Sequence, residues 1–302
     1  MEPTPDPSIE RTAAGKPVSA AHVKRQAHEG ERVDMARYDT IGRDYNLHRN
    51  ADMRVVSMLK TLLALPPGSV LADIGAGTGN YSNAMTTYGY KVKAIEPSEE
   101  MRRQAVGNEQ VEFIGGRAEA IPLESDSVDG VFSTLAIHHF SSLRNAASEM
   151  RRICPYGPIV LFTNDPRKGE SFWLADYFPK AFKGLFASYP PVEEITQLVA
   201  SVGGWASMVF CFPLPSDFSD LNTRSGWNRP EIYLDPIARK SMSVFALASG
   251  TEIKLGVEQL RQDIESGVWD EKYGYLRRKE SLDLGFVFLR FQGPTPGQER
   301  SL

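Results

Sequence analysis

The chain has 302 residues, of which 41% are hydrophobic and 24% charged, and its formal net charge at pH 7 is −4. This length and composition suit one domain with a sizeable core. The acidic balance argues against nucleic acid as a partner, because phosphate backbones bind concentrated basic surfaces. No apolar run reaches the ~18 residues of a membrane span, and two cysteines, Cys154 and Cys211, are too few for a disulfide framework or a metal cluster. We therefore expect a cytoplasmic protein with no metal site and no membrane segment.

The amino-terminal region mixes proline, serine and charged residues with few large apolar ones, which predicts a mostly disordered tail over residues 1–35. Apolar residues then recur at helical spacing over 51–65, and Pro66 and Pro67 predict the end of this helix. Strand and helix patterns alternate from there to the apolar run 159–163. This order predicts a doubly wound parallel sheet that binds ligands at the carboxyl ends of its first and fourth strands.

Three glycines at alternate positions, Gly75, Gly77 and Gly79, follow an apolar run and precede a helix predicted from about Asn80. Glycine lets the backbone turn sharply and approach a ligand where a Cβ would collide, and the helix start offers unpaired N–H groups. Glu96 ends the next apolar run, where its carboxylate can accept hydrogen bonds from both hydroxyls of a ribose. The pattern predicts a site for a nucleotide-like ligand.

Two other nucleotide sites share this logic, and the residues around Gly79 argue against both. A dinucleotide-binding loop reads Gly-x-Gly-x-x-Gly, and counting from Gly75 its third glycine position holds Asn80. A P-loop needs Gly-Lys-Ser/Thr, whereas Gly79 is followed here by Asn80 and Tyr81.

The segment from Asp73 to Gly79, joined to Glu96, resembles the class I S-adenosylmethionine-dependent methyltransferases. Their first motif reads Asp/Glu-x-Gly-x-Gly-x-Gly, and their second strand ends in an acid. The resemblance implies an α/β, Rossmann-like doubly wound fold with a mostly parallel seven-stranded sheet, and S-adenosyl-L-methionine as the cofactor. It implies that the following residues bind the cofactor: Asp73, Gly75, Ala76, Gly77, Thr78, Gly79, Glu96, Pro97 and Met101.

The resemblance continues downstream of this motif. Residues 111–123 look like the third strand and the segment beside adenine in such enzymes, which implies contacts from Ala118 and Glu119. Many relatives carry an acid where this chain has Arg117, and a guanidinium cannot accept a bond from the adenine amine, so Glu119 or a backbone carbonyl would have to accept it. Residues 128–140 look like the fourth strand and the loop beneath the sulfonium, with Thr134 and Leu135 lining the cofactor.

His138 and His139 lie just past the predicted fourth strand, where a base is useful if the methyl acceptor carries a proton. Histidine suits this task near neutral pH, so both are candidate catalytic residues. The alternative is that they cap or pin the loop.

Residues 36–50 resemble the amino-terminal helical flap of small-molecule methyltransferases, in which a tyrosine and an arginine close over the methionine end of the cofactor. By position, the resemblance implies Tyr38, Tyr45 and Arg49 as cofactor contacts. Arg49 is expected to bind the cofactor carboxylate, and its alternative is a surface ion pair with a nearby acid.

Two insertions are longer than the core of this fold needs. The first, about 164–205, holds seven aromatic residues between Asn164 and Tyr189. We predict that this cluster roofs the substrate pocket, with Trp173, Tyr177 and Phe178 against the substrate; the alternative is that the rings only pack an inserted helix onto the sheet. The second, about 213–280, predicts a lid or wall of the same site. The methyltransferase domain then spans 36–302.

The predicted function is S-adenosylmethionine-dependent methylation of a small, partly apolar molecule in secondary metabolism, with oxygen, nitrogen or carbon as the acceptor left open. One alternative is a nicotinamide-dinucleotide oxidoreductase, which Asn80 and the lack of a recognisable hydride-transfer constellation disfavour. Another is a cofactor-binding regulator without catalysis, which the fold does not exclude. The sequence predicts no oligomeric state.

Overall fold

The computed structural model describes residues 49–169, 172–203 and 206–293. The predicted tail over 1–35 and the flap residues Tyr38 and Tyr45 lie outside the described residues. Within this part of the chain the strands are β1 Val70–Ile74, β2 Lys91–Ile95, β3 Val111–Ile114, β4 Gly130–Thr134, β5 Pro158–Asn164, β6 Ala206–Cys211, β7 Leu214–Pro215, β8 Ser281–Leu282 and β9 Phe286–Gln292.

Seven of these strands form one sheet in the order β3-β2-β1-β4-β5-β9-β6. β9 runs antiparallel to β5 and β6, and the remaining pairs are parallel. The predicted Rossmann-like, mostly parallel seven-stranded sheet is therefore confirmed. β5 is buried along its whole length, as expected for a central strand covered on both faces.

Helices connect the strands and cover both faces of the sheet. They are α1 Met53–Leu63, α2 Asn80–Thr86, α3 Glu99–Gln104, α4 Leu143–Ile153, α5 Pro179–Ser188, α6 Val192–Gly203, α7 Pro236–Lys240, α8 Ser243–Leu247, α9 Gly250–Glu265 and α10 Val268–Tyr273. α1 begins where the Asp52 side chain accepts a hydrogen bond from the Arg54 N–H, and it ends at Ala64 in the left-handed conformation. The helix predicted over 51–65 is thus confirmed, with both ends two residues shorter.

The sheet separates two apolar clusters, because alternate residues of a strand point to opposite faces. Phe132 and Phe162 belong to the cluster that also contains α1 and the aromatic side chains of both insertions. Val131 and Leu161 belong to the other cluster, with α4 and α6. The second insertion and the aromatic part of the first therefore extend the core on the α1 side of the sheet, whereas α6 of the first insertion covers the opposite face.

The second insertion leaves and rejoins the core at one place. β7 and β8 pair antiparallel, with Leu214 opposite Leu282, so the two ends of the insertion lie side by side. None of the helices in the described ranges has both the length and the apolar character needed to cross a membrane.

Candidate functional site

A cleft of about 880 Å³ opens at the carboxyl ends of β1, β2 and β4. β1 and β4 are neighbours in the sheet although β2 and β3 lie between them in sequence, which is the arrangement that creates a ligand crevice in such folds. The volume suits a cofactor-sized ligand. The following residues predicted from the sequence line the cleft: Arg49, Gly75, Ala76, Gly77, Thr78, Glu96, Pro97, Met101, Ala118, Glu119, Thr134, Leu135, His138 and His139.

The glycine loop turns over the end of β2 and leaves open space beside Gly77. All three glycines have positive φ, between 58° and 79°. A Cβ on Gly75 would lie 2.5 Å from the Cβ of Ala136, and one on Gly79 would lie 2.3 Å from the Phe113 ring. A Cβ on Gly77 would meet no atom within 4 Å. Gly75 and Gly79 thus allow close packing of the protein, whereas Gly77 keeps the cleft clear.

Glu96 joins the loops that follow β1 and β2. One carboxylate oxygen accepts a bond from the Gly77 N–H at 2.8 Å, and the other accepts one from the Ser98 N–H at 2.9 Å. Burial raises the pKa of Glu96, and these two bonds and Arg102 oppose that shift. A carboxylate offers about four acceptor positions, so capacity for two hydroxyl donors remains.

Asp73 and Gly79 do not line the cleft. Asp73 is fully buried beneath the loop, where one oxygen accepts a bond from the Ser82 hydroxyl at 2.6 Å and the other has no partner among the described residues. Burial raises the pKa of Asp73 to about 7. Asp73 therefore links β1 to α2, and Gly79 forms the start of α2. Asp73 and Gly79 therefore shape the glycine loop and do not themselves face the cleft.

Asn80 stands at the position where a dinucleotide loop has its third glycine. Its side-chain amide donates to the backbone carbonyl of Arg49 at 2.6 Å and so connects the glycine loop to the chain before α1.

Arg117 and Glu119 lie together at the end of the cleft near β3. The Arg117 Nε is 3.7 Å from a Glu119 carboxylate oxygen, and the other oxygen of Glu119 accepts a bond from the Ser142 N–H at 3.1 Å. Glu119 thus lines the cleft with one oxygen held by the start of α4. This is compatible with Glu119 taking the adenine contact that Arg117 cannot make.

Leu135 has a φ of 52°, a conformation that residues with a side chain seldom adopt. Its N–H donates to the Phe162 carbonyl at 2.8 Å, which pins the loop after β4 to β5. The loop then places Ala136, His138 and His139 against the cleft. Strained backbone of this kind concentrates at ligand sites.

The two histidines differ in their surroundings. The His138 ring stacks on Tyr189 at 4.2 Å between centroids, its Nε2 lies 3.3 Å from the Tyr189 hydroxyl, and its Nδ1 is enclosed without a partner among the described residues. Burial, His139 and Arg49 hold the pKa of His138 well below its usual value. His139 is exposed to the cleft, but the protein surrounding that cleft lowers its pKa to about 4. Both shifts favour the neutral imidazole, and the roles of His138 and His139 as bases stay predictions.

Arg49 lines the cleft and also forms an ion pair, while its predicted bond to the cofactor carboxylate stays a prediction. Its partner is Asp220 of the second insertion, which is 1% exposed and accepts from Nε and Nη2 of the guanidinium. The Tyr81 hydroxyl also donates to Asp220, at 3.0 Å. The ion pair is buried at the cleft, not on the surface as the alternative supposed.

Trp173, Tyr177 and Phe178 are not among the residues that line the cleft. The Trp173 Nε1 donates to the Trp227 carbonyl at 2.8 Å, and its ring lies 5.2 Å from that of Trp269. Phe178 is fully buried. Trp173 and its neighbouring rings thus join the two insertions, and the contact of Trp173, Tyr177 and Phe178 with the substrate stays a prediction. Tyr189 is the member of the cluster that reaches a cleft residue.

Sequence patterns missed several residues of the cleft. These are Asn50, Asn80, Tyr81, Ser98, Glu99, Arg102, Gly116, Arg117, Phe140, Ser141, Ser142, Asn145 and Asp220. Most of them lie within three residues of a predicted position, so they would be found by including three residues on each side of every motif. Asp220 has no such signal, because it reaches the site from an insertion.

Comparisons with known proteins agree with this geometry. Residues 72–162 match the family described as Methyltransferase domain. A crystal structure from Anabaena variabilis ATCC 29413, described as a methyltransferase from an antibiotic biosynthesis pathway, shares 43% sequence identity. The match covers 80% of this chain and 98% of that one, with a TM-score of 0.78.

More distant relatives carry other names. The malonyl-[acyl-carrier protein] O-methyltransferase of Erwinia pyrifoliae is 30% identical over 184 residues, which are 59% of this chain and 70% of that protein. A phosphoethanolamine N-methyltransferase of Haemonchus contortus in complex with S-adenosyl-L-methionine shares the fold at 17% identity and a TM-score of 0.54, over 87% of this chain and 57% of that one. From its glycine motif, its sheet and these relatives, the chain belongs to the class I S-adenosylmethionine-dependent methyltransferases.

Proposed function

We propose that the enzyme holds S-adenosylmethionine in the cleft after β1 and β4, with the ribose on Glu96 and the methionine end toward Arg49. The observation that carries this proposal is the Glu96 carboxylate beside Gly77, where a Cβ would meet no protein atom. Glu96 already orders both flanking loops through two backbone bonds, so its remaining acceptor capacity is fixed in place before a ligand arrives. Glu119 at the far end of the same cleft suits the adenine amine.

S-adenosylmethionine supplies a methyl group that its sulfonium already activates. The residues of the chain have to align the acceptor, exclude water and take up a proton where the acceptor carries one. We assign proton uptake to His139, because its ring is open to the cleft, whereas the Nε2 of His138 is engaged by Tyr189. A base whose pKa is about 4 is weak, so acceptors that enter as anions or free amines suit this site best.

The acceptor is a small, partly apolar molecule. Leu135, Ala136 and Phe140 contribute apolar surface beside the histidines, and the rest of the cleft is lined by both polar and apolar residues. A role in secondary metabolism is supported by the relative from an antibiotic pathway. The cytoplasmic location and the absence of a nucleic-acid partner stay predictions.

The cofactor assignment is tested by replacing Glu96 with Gln. Calorimetric titration of this variant with S-adenosylmethionine should show a loss of affinity of about 10- to 100-fold, because two charge-assisted hydroxyl bonds become neutral ones. Glu112 on β3 is exposed, and Glu112→Gln provides the matched control. Equal affinity of the wild type and Glu96→Gln, with both proteins folded, would remove Glu96 from the site. In a separate experiment, transfer of labelled methyl groups from S-adenosylmethionine to carboxylate, phenol and amine acceptors identifies the acceptor atom.

A further inference from the structure

The second insertion touches the beginning of α1 along one short strip. Residues 217–220 lie against 49–54, and Arg49 and Asp220 form an isolated antiparallel bridge. The Asp52 carboxylate accepts from the Ser219 N–H at 3.1 Å and from its hydroxyl at 3.2 Å. We call this contact the strip; its side chains are Arg49, Asp52, Arg54, Asp217, Ser219 and Asp220.

The strip has an outer and an inner end. At the outer end, Arg54 donates to Asp217 at 2.6 Å, and the Asp217 side chain is 78% exposed. At the inner end, the Asp220 side chain is 1% exposed and lines the cleft together with Arg49. The electrostatic interaction is stronger in the inner ion pair than in the outer one, because solvent screens the outer pair and not the inner one.

The Asp220 carboxylate is held on several sides. It accepts from two nitrogens of Arg49 and from the Tyr81 hydroxyl, whose pKa is raised well above its usual value by burial and by Asp220, so that it stays a donor. The Asp220 backbone carbonyl also accepts from the Ser225 hydroxyl at 2.7 Å. A two-pronged contact between carboxylate and guanidinium fixes the plane as well as the position of the arginine.

We infer that Asp220 is a positioning residue of the cofactor site: it orients Arg49 toward the carboxylate of the methionine moiety, and thereby couples the second insertion to cofactor binding. The inference rests on the proposed function. Arg49 is placed at that end of the cleft by Asn80, whose amide holds the Arg49 carbonyl beside the glycine loop. The other arginines of the cleft have different partners: Arg102 donates to the Glu96 carbonyl, and the Arg117 Nε lies 3.7 Å from Glu119.

Two ligands separate this role from a general effect on the cleft. S-adenosylmethionine carries the carboxylate, and 5′-methylthioadenosine has the same nucleoside without the amino-acid end. Asp220→Asn should lower the calorimetric affinity for S-adenosylmethionine about tenfold, the effect expected for one weakened charge-assisted contact, and leave that for 5′-methylthioadenosine unchanged. Asp217→Asn is the matched control from the same strip and should change neither. Equal losses for both ligands, or tighter binding of S-adenosylmethionine, would overturn the inference.

A double-mutant cycle shows whether Asp220 acts through Arg49. In an Arg49→Gln background, Asp220→Asn should cause no further loss of S-adenosylmethionine affinity. Independent losses would mean that Asp220 contacts the cofactor itself, for example its ammonium group, and the inference would be wrong. If Asp220→Asn does not fold by circular dichroism, Tyr81→Phe gives the same readout, with a selective loss of about threefold from one weakened hydrogen bond. A wild-type protein that binds neither ligand contradicts the proposed function as a whole, whereas wild-type binding without this selectivity contradicts only the role of Asp220.

Discussion

Gly77 and Gly79 are two residues apart in one loop, yet a methyl group added to each would meet different surroundings. At Gly77 it would enter open space in the cleft, and at Gly79 it would lie 2.3 Å from Phe113. We expect Gly77→Val to weaken S-adenosylmethionine binding at least about 100-fold, because the side chain occupies ligand space. The left-handed conformation of this position also costs the variant about 1–2 kcal/mol of stability, so affinities are compared on folded protein.

Gly79→Ala should instead lower the melting temperature by several degrees, through overpacking against the Phe113 ring and the strain of a left-handed alanine, together about 2–4 kcal/mol. Calorimetric titration and thermal unfolding followed by circular dichroism measure the two effects separately. If Gly77→Val keeps wild-type affinity, the open space beside Gly77 is not ligand space.

His139 gives stability a pH dependence whose sign follows from its environment. Its pKa in the folded protein is about 4, below the ordinary value of 6.5, so the unfolded chain binds the proton first as the pH falls. Stability is therefore complete above pH 6.5 and decreases as the pH falls from there to about 4. His139→Gln should flatten this part of the urea-unfolding profile.

The same variant should lower the turnover of an acceptor that must lose a proton by about 100-fold, and spare an acceptor that is already ionised. Wild-type turnover of both acceptors by His139→Gln, with an unchanged pH–rate profile, would show that the enzyme works by alignment alone.

At the scale of elements, α9 packs on the first insertion through a glycine. A Cβ on Gly256 would lie 2.4 Å from the Tyr177 carbonyl and 2.5 Å from the Phe178 ring, whereas one on Gly250 of the same helix would meet nothing within 4 Å. We expect Gly256→Ala to destabilise the protein by about 1–3 kcal/mol in spite of alanine's higher helix propensity. Gly250→Ala should be neutral or slightly stabilising. Equal melting temperatures for the two variants would mean that α9 and the insertion are not closely packed.

The glycine loop and Glu96 could be predicted from the sequence because their geometry is set locally, by a strand, a tight turn and the next strand. The aromatic segment could not be assigned in the same way. A pocket roof and a core both select large rings, so composition does not distinguish Trp173 and Phe178, which are buried between the insertions, from Tyr189, which stacks on His138.

Long-range contacts were also beyond sequence patterns. Tyr189 meets His138 over a separation of 51 residues, and Asp220 meets Arg49 over 171. Such pairs depend on how an insertion folds back, which no short motif specifies. For Arg49, the sequence offered a cofactor contact and a surface ion pair as alternatives, and it gave no sign that the arginine lines the cleft and pairs with a buried acid at the same time.

At the scale of the whole molecule, the aromatic part of the first insertion and the second insertion extend one core, and each insertion brings one polar side chain against a residue of the cofactor cleft. The first contributes Tyr189 beside His138, and the second contributes Asp220 beside Arg49. The sheet supplies the loops, and the insertions adjust the residues on them. We therefore expect the loops of the sheet to provide most of the cofactor contacts, and the insertions to tune cofactor binding through Asp220 and to set the substrate preference.

The central claim is that the cleft is a site for S-adenosylmethionine and not for a dinucleotide. Calorimetric titration of the full chain with S-adenosylmethionine, S-adenosylhomocysteine and NAD tests it directly. We predict dissociation constants of about 1–100 μM for the first two and binding at least about 100-fold weaker for NAD, a difference of about 2.7 kcal/mol. Tighter binding of NAD, or no heat of binding for S-adenosylmethionine at millimolar concentration with a folded protein, would contradict the account.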